Sequence, residues 1–174
     1  KQVSHSEKIV PMLQSDADNV LQLLKAQLGH SDGIRGFFVT YLTMAGDDTP
    51  ADQPDVPPPL LTAMKESHNG NELVSLACMN FIMPTGMITM HKDETLSRQS
   101  QITAERGVRV LRAIREKEGV KEECEAILAV ASHRKHSPAN TTKIAYWEDF
   151  FAKWGYGDIQ KRDIAQAVQS VLSE

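Results

Sequence analysis

Residues 73–90 read LVSLACMNFIMPTGMITM, a stretch of 18 residues that contains no charged side chain. A helix drawn through this stretch is apolar on all sides, which is typical of the central helix of a bundle or of a membrane span. The polar side chains of Ser75, Asn80 and Thr85, together with Pro84, favour the bundle. We therefore predict a central, buried helix and no contact with a membrane.

The sequence on both sides of this stretch carries a helical period, because apolar residues recur at spacings of three and four. Capping and stop residues separate the segments. The predicted helices cover residues 20–28, 34–42, 60–66, 95–118, 120–136, 141–154 and 158–172. No alternating run of β-branched residues requires a strand. We predict an all-α, single-domain bundle over 1–174, with about seven or eight helices around the proline-kinked apolar one.

Composition limits the class of protein. The chain has 174 residues, 41% of them hydrophobic and 24% charged, as in one ordinary globular domain. Its formal net charge is -4, whereas a protein that binds nucleic acid through its bulk charge is usually basic, so we predict no nucleic-acid partner. The two cysteines, Cys78 and Cys124, favour the cytoplasm or another reducing compartment. A removed targeting segment would leave no trace in this chain.

Residues 46–59 form an acidic, proline-rich segment that holds four aspartates and five of the eight prolines. Proline donates no backbone hydrogen bond, so neither a helix nor a sheet is expected there. We predict a surface loop whose aspartate side chains are solvated. The fold should tolerate the replacement of all four aspartates by Asn. The order of the aspartates does not match a calcium-binding loop.

Pro84 marks a candidate binding site within the apolar stretch. It has no N–H to donate to the carbonyl of Asn80, so we expect a kink and a freed acceptor. Asn80, Met83, Met87 and His91 are the candidate ligand-binding residues. The alternative is that the methionines only fill an irregular core. We expect Asn80 and Met83 to be buried.

Metal and cofactor sites lack a defined set of ligands in this sequence. The methionines and His91 offer soft ligands for Cu(I) or haem, but no CxxCH or Met-x-Met pattern accompanies them. His133 and His136 are separated by Arg134 and Lys135, whose charges oppose the binding of a cation. We predict no metal and no cofactor.

Arginines mark one side of the predicted helix 95–118: Arg98, Arg106, Arg109 and Arg112. Such a side could meet a phosphate or an acidic partner. Most basic faces of this kind are solvated, and Glu105 and Glu116 dilute the positive charge here. We expect a solvated face.

Six of the ten aromatic residues lie between positions 146 and 156. Four of them share one helix face, which either faces the core or forms a hot spot for a partner: Trp147, Phe150, Phe151 and Trp154. If the row faces the core, the aromatic face at 37–41 is its expected partner. Trp147, Phe151 and Trp154 are the candidate partner-binding residues, and Trp154 is expected at the margin.

Signatures of catalysis are scarce, since the chain contains neither a Walker A motif nor GxGxxG. We predict a non-catalytic interaction or assembly module that binds a protein partner or a second copy of itself. A small-ligand-binding bundle that uses the kinked helix is one alternative. An enzyme without a familiar motif is another, and no catalytic residue is assigned.

Overall fold

The computed structural model describes residues 17–46, 49–132 and 141–173, which contain helices and no strand. The helices are α1 Ala17–Gln27, α2 Ser31–Thr43, α3 Pro58–Lys65, α4 Gly70–Met90, α5 Glu94–Ala113, α6 Val120–Ala131, α7 Thr141–Trp154 and α8 Asp158–Leu172. The predicted all-α, single-domain bundle is confirmed, with the apolar helix at its centre.

The central helix, α4, contacts α2, α3, α5, α6 and α8. Its first half is the most deeply buried part, and Leu73, Cys78 and Phe81 are fully covered. Its most apolar window has a mean hydropathy of 1.5 and is 50% buried, so the helix also has the length and composition of a membrane span. The core helix of a bundle has the same properties, so these values are weak evidence for a span.

Pro84 does not interrupt α4, which is one helix from Gly70 to Met90. Just before the proline, Asn80 Nδ2 donates to the carbonyl oxygen of Leu76 at 2.8 Å. The expectation that Asn80 and Met83 are buried is wrong, since both are only half-buried. The reason is that this side of α4 faces a cleft and not another helix.

α4 and α5 form an antiparallel hairpin that turns at residues 91–93. Near the turn, Ser97 Oγ donates to the carbonyl oxygen of Ile88 at 2.7 Å. Further from the turn, a Cβ added at Gly107 would lie 3.1 Å from Cβ of Phe81. Glycine therefore permits the close approach of the two helices.

Two helices end five residues before their predicted ends. The predicted helix 95–118 ends as α5 at Ala113, and the N–H of Ile114 closes it by bonding the carbonyl of Val110. The predicted helix 120–136 ends as α6 at Ala131. Residues 133–140 lie outside the described residues, so His133 and His136 have no structural account.

The aromatic row of α7 packs into the core and against α6. Trp147 is 0% and Phe151 2% exposed. Trp147 Nε1 donates to Oε1 of the buried Glu123 at 3.0 Å, and the ring of Phe151 meets that of Tyr156 edge-on at 5.3 Å between centroids. Burial of the indole is therefore accompanied by a partner for its N–H.

The expected pairing of this row with the aromatic face of α2 is wrong. In the described part of the chain, the rings of Phe37, Phe38 and Tyr41 make ring contacts only with one another. The row instead meets the carboxylate of α6 and the ring of Tyr156, as described above. The two aromatic sets thus make separate ring contacts within one core.

Candidate functional site

A cleft of about 630 Å³ opens between α4, α5 and the end of α2. The side chains that α4 and its C-cap residue contribute to it are Asn80, Met83, Pro84, Met87 and His91. Their spacing of three and four residues places them on one face of the helix. All four candidate ligand-binding residues therefore line a single cavity, although their binding of a ligand stays a prediction.

The other two walls of the cleft come from α5 and from the chain that leaves α2. They consist of Leu96, Gln99, Ser100, Ile102, Thr103 and Arg106 on one side and Thr43, Met44, Ala45 and Gly46 on the other. Leu96 is 46% and Ile102 38% exposed. A concave, largely apolar cavity of this volume is typical of a site for a small molecule.

Arg106 holds the wall at the end of α2 in place. Its side chain is 5% exposed, and Nη1 donates to the carbonyl oxygens of Leu42 and Met44 at 3.0 and 2.8 Å. The last carbonyls of a helix have no partner within the helix, and the guanidinium supplies one. Nε and Nη2 donate to the two carboxylate oxygens of Asp52 at 2.8 and 2.6 Å. One side chain thus joins α5, the end of α2 and the proline-rich loop.

Two expectations are wrong for Arg106 and Asp52. These are the expectation that the arginine face is solvated and the expectation that the whole acidic loop is solvated. Arg106 points inward, and Asp52 also accepts a hydrogen bond from Oγ1 of Thr49 at 2.8 Å. Ala51 and Val56 belong to the core. Arg106 and Asp52 are 54 positions apart, so no local pattern could have indicated their contact. Residues 47 and 48 of the loop lie outside the described residues.

The hydrogen bonds from Arg106 hold the pKa of the Asp52 carboxyl below its usual value. A carboxyl with a lowered pKa in the folded state stabilises the fold above its unfolded pKa of about 3.9, and this contribution is lost as the pH falls through the lower, folded pKa.

We expect Asp52→Asn to cost stability at pH 6 and to lose most of its effect in acid. The difference should shrink as the pH falls below about 3.9 toward the lower, folded pKa, because protonation of the folded carboxyl removes the charge that the variant already lacks. Urea melts of both proteins between pH 6 and pH 2.5 measure the difference. Asp55→Asn, an exposed change in the same loop, should cost little at any pH. A constant difference between wild type and Asp52→Asn would contradict the role of this carboxylate.

The burial of the aromatic row corrects two of the partner-binding candidates. Trp147 and Phe151 cannot meet a partner, because their side chains are inside the fold. Trp154 is half-buried at the end of the row, and its ring lies 6.2 Å from that of Phe150. Contact of Trp154 with a partner stays a prediction.

Residues 29–33 read GHSDG and match the GxSxG spacing of serine hydrolases. In those enzymes the serine lies on a sharp turn from a strand into a helix. Here the segment joins α1 to α2, and His30 caps α2 by accepting the N–H of Gly33 on Nδ1 at 3.0 Å. The GHSDG segment therefore belongs to the start of α2 and does not form the nucleophile motif of a serine hydrolase.

The two thiols of the core are also unsuited to catalysis. Cys78 and Cys124 are buried and are not joined by a disulfide. A hydrogen bond with Cys124, together with burial, raises the pKa of the Cys78 thiol. A thiol with a raised pKa is a poor nucleophile. In the described residues, no group of three His, Cys, Asp or Glu side chains is placed to hold a metal.

Comparison with known proteins gives a family and no function. A family model described as "Uncharacterised conserved protein UCP020893" matches residues 5–171. No curated protein and no solved structure matches the chain.

Proposed function

We infer that this chain, which belongs to the family described as Uncharacterised conserved protein UCP020893, is a non-catalytic module that binds a small, largely apolar molecule in the cleft between α4 and α5. The observation that supports this function is the convergence of Asn80, Met83, Met87 and His91 on one cavity. The interaction or assembly module, which is the first prediction from the sequence, becomes the second candidate, because only Trp154 of its three candidate residues reaches the surface.

The chemistry of the walls supports an apolar ligand. Met83 and Met87 are half-buried, and Leu96 and Ile102 expose apolar surface to water. Removing such surface from water is favourable, so a ligand that covers it gains affinity. Methionine side chains are flexible and polarizable, which lets the wall adapt to the shape of its ligand.

The test is the binding of Nile red, a neutral apolar dye whose emission rises in an apolar site. We expect saturable binding to the wild type and at least about tenfold weaker binding to Met87→Glu, because the ligand would have to bury an unpaired carboxylate. Ile159→Glu is the matched control, since Ile159 is 53% exposed on α8 and does not line the cleft. Equal loss in both variants, or no binding to the wild type, would contradict the proposed function.

A further inference from the structure

We propose that the ligand of this cleft is a free, medium-length fatty acid whose chain lies along α4 and whose carboxylate lies beside His91. This inference rests on the proposed function, because it names the class of molecule that the same cleft binds. Its grounds are the length of the cleft, the apolar side chains on each of its walls and the charge of its described lining.

The cleft is long in one direction. From Asn80 to His91 its floor follows α4 for about 16 Å at the helical rise of 1.5 Å per residue. From Leu96 to Arg106 the facing wall follows α5 for about 15 Å. Because the two helices are antiparallel, His91 and Leu96 share one end, while Asn80 and Arg106 share the other. An extended chain suits this shape better than a compact ring system.

Each wall of the cleft contributes apolar side chains. Met83 and Met87 lie on α4, Ile102 lies on α5, and Met44 lies on the segment that leaves α2. Three of these four side chains are unbranched thioethers, which can follow a flexible chain of methylene groups. Each methylene that the cleft removes from water should raise the affinity about fourfold.

The charge of the lining favours an acid over an amine. Among the described residues, no Asp or Glu lines the cleft, so the ammonium group of a cationic amphiphile would find no counter-charge from them. The guanidinium of Arg106 is engaged by Asp52 and by two backbone carbonyls. Asp93, which lies next to the His91 end, caps α5 by accepting the N–H of Leu96 at 3.0 Å.

His91 is the group best placed to meet the carboxylate. It is half-buried, it is the C-cap of α4 at the end of the cleft that Leu96 also lines, and its imidazole makes no hydrogen bond or ion pair with another described residue. The side chains of Gln99 and Ser100 on the facing wall supply further donors. A carboxylate bound here would accept hydrogen bonds from up to three side chains.

The experiment measures displacement of Nile red by single-chain amphiphiles below their micellar concentrations. We expect decanoate to compete at least about tenfold better than decyltrimethylammonium, with decanol between them. Affinity should rise about fourfold per methylene from octanoate to dodecanoate and level off when the chain exceeds the cleft. Equal competition by the ammonium compound, or stronger competition by the compact 2-naphthoate, would overturn the proposal.

Variants of neighbouring residues test the position of the head group. His91→Gln should weaken decanoate about tenfold and leave decanol unchanged, because only the acid uses the imidazole. Met90→Gln, which changes a neighbouring residue that does not line the cleft, should leave both unchanged. A loss of the same size for the acid and the alcohol in His91→Gln would overturn the assignment of the head group.

Two further outcomes separate the inferences. If Nile red binds the cleft but no linear acid displaces it, the fatty-acid proposal fails and the proposed function stands. If Nile red itself does not bind, both fail.

The same acyl-chain chemistry could also come from a bilayer, so sedimentation with phosphatidylglycerol vesicles is the last arm of the experiment. Binding to vesicles without binding of free decanoate would overturn the choice of a free acid.

Discussion

Arg106→Met is expected to destabilise the fold by about 3 kcal/mol, near the lower end of the range for breaking a buried ion pair. The variant keeps the apolar stem but leaves the carbonyls of Leu42 and Met44 without their donor and Asp52 without its strongest partner. The expected loss lies near the lower end of that range because the Asp52 side chain is 33% exposed, so its carboxylate regains some hydration in the variant. Urea denaturation at neutral pH measures the cost.

Arg109→Met is the matched control for this prediction. Arg109 lies one turn away on α5, is 31% exposed and approaches the same carboxylate only to 3.6 Å. It also donates to the carbonyl of Ala51 at 2.9 Å, so we expect a loss of about 1 kcal/mol. Equal losses in the two variants would show that charge alone, and not the bonds to the end of α2, explains the effect of Arg106.

The second large effect is expected for Gly33→Ala, which should destabilise the fold by about 3 kcal/mol, the upper end of the usual range for overpacking. A Cβ at this position would lie 1.9 Å from the backbone oxygen of Gln27 and 2.8 Å from Cε1 of His30. A backbone atom cannot move away by a change of rotamer as a side-chain atom can, so α1 and α2 would have to separate. That movement would also break the 2.8 Å bond from Gln27 Nε2 to the carbonyl of Gly33.

Gly70→Ala controls for the general effect of adding a methyl group to a helical glycine. Its Cβ would approach only the far end of the long Lys117 side chain, at 3.3 Å. Alanine favours the helix over glycine, so we expect unchanged or slightly higher stability. Thermal and urea melts of both variants provide the comparison. Losses of similar size would contradict the steric argument for Gly33.

The helical period of the sequence determined which residues share a face, because that spacing is a property of each helix alone. It was sufficient to predict an all-α bundle, the apolar helix at its centre and the grouping of Asn80, Met83, Met87 and His91. It also placed the start of α6 at Val120 and the end of α7 at Trp154. The sequence alone therefore predicts the helices and the residues that share a face of each helix.

Only the tertiary structure decided which faces meet and which stay open. The sequence gives the methionine face of α4 and its opposite face similar hydrophobicity, yet one lines a cleft while the other packs in the core. The aromatic row packs against α6 instead of α2, and Arg106 pairs with Asp52. Such contacts join residues far apart in the chain, and they depend on how whole helices fit together, which no local spacing records.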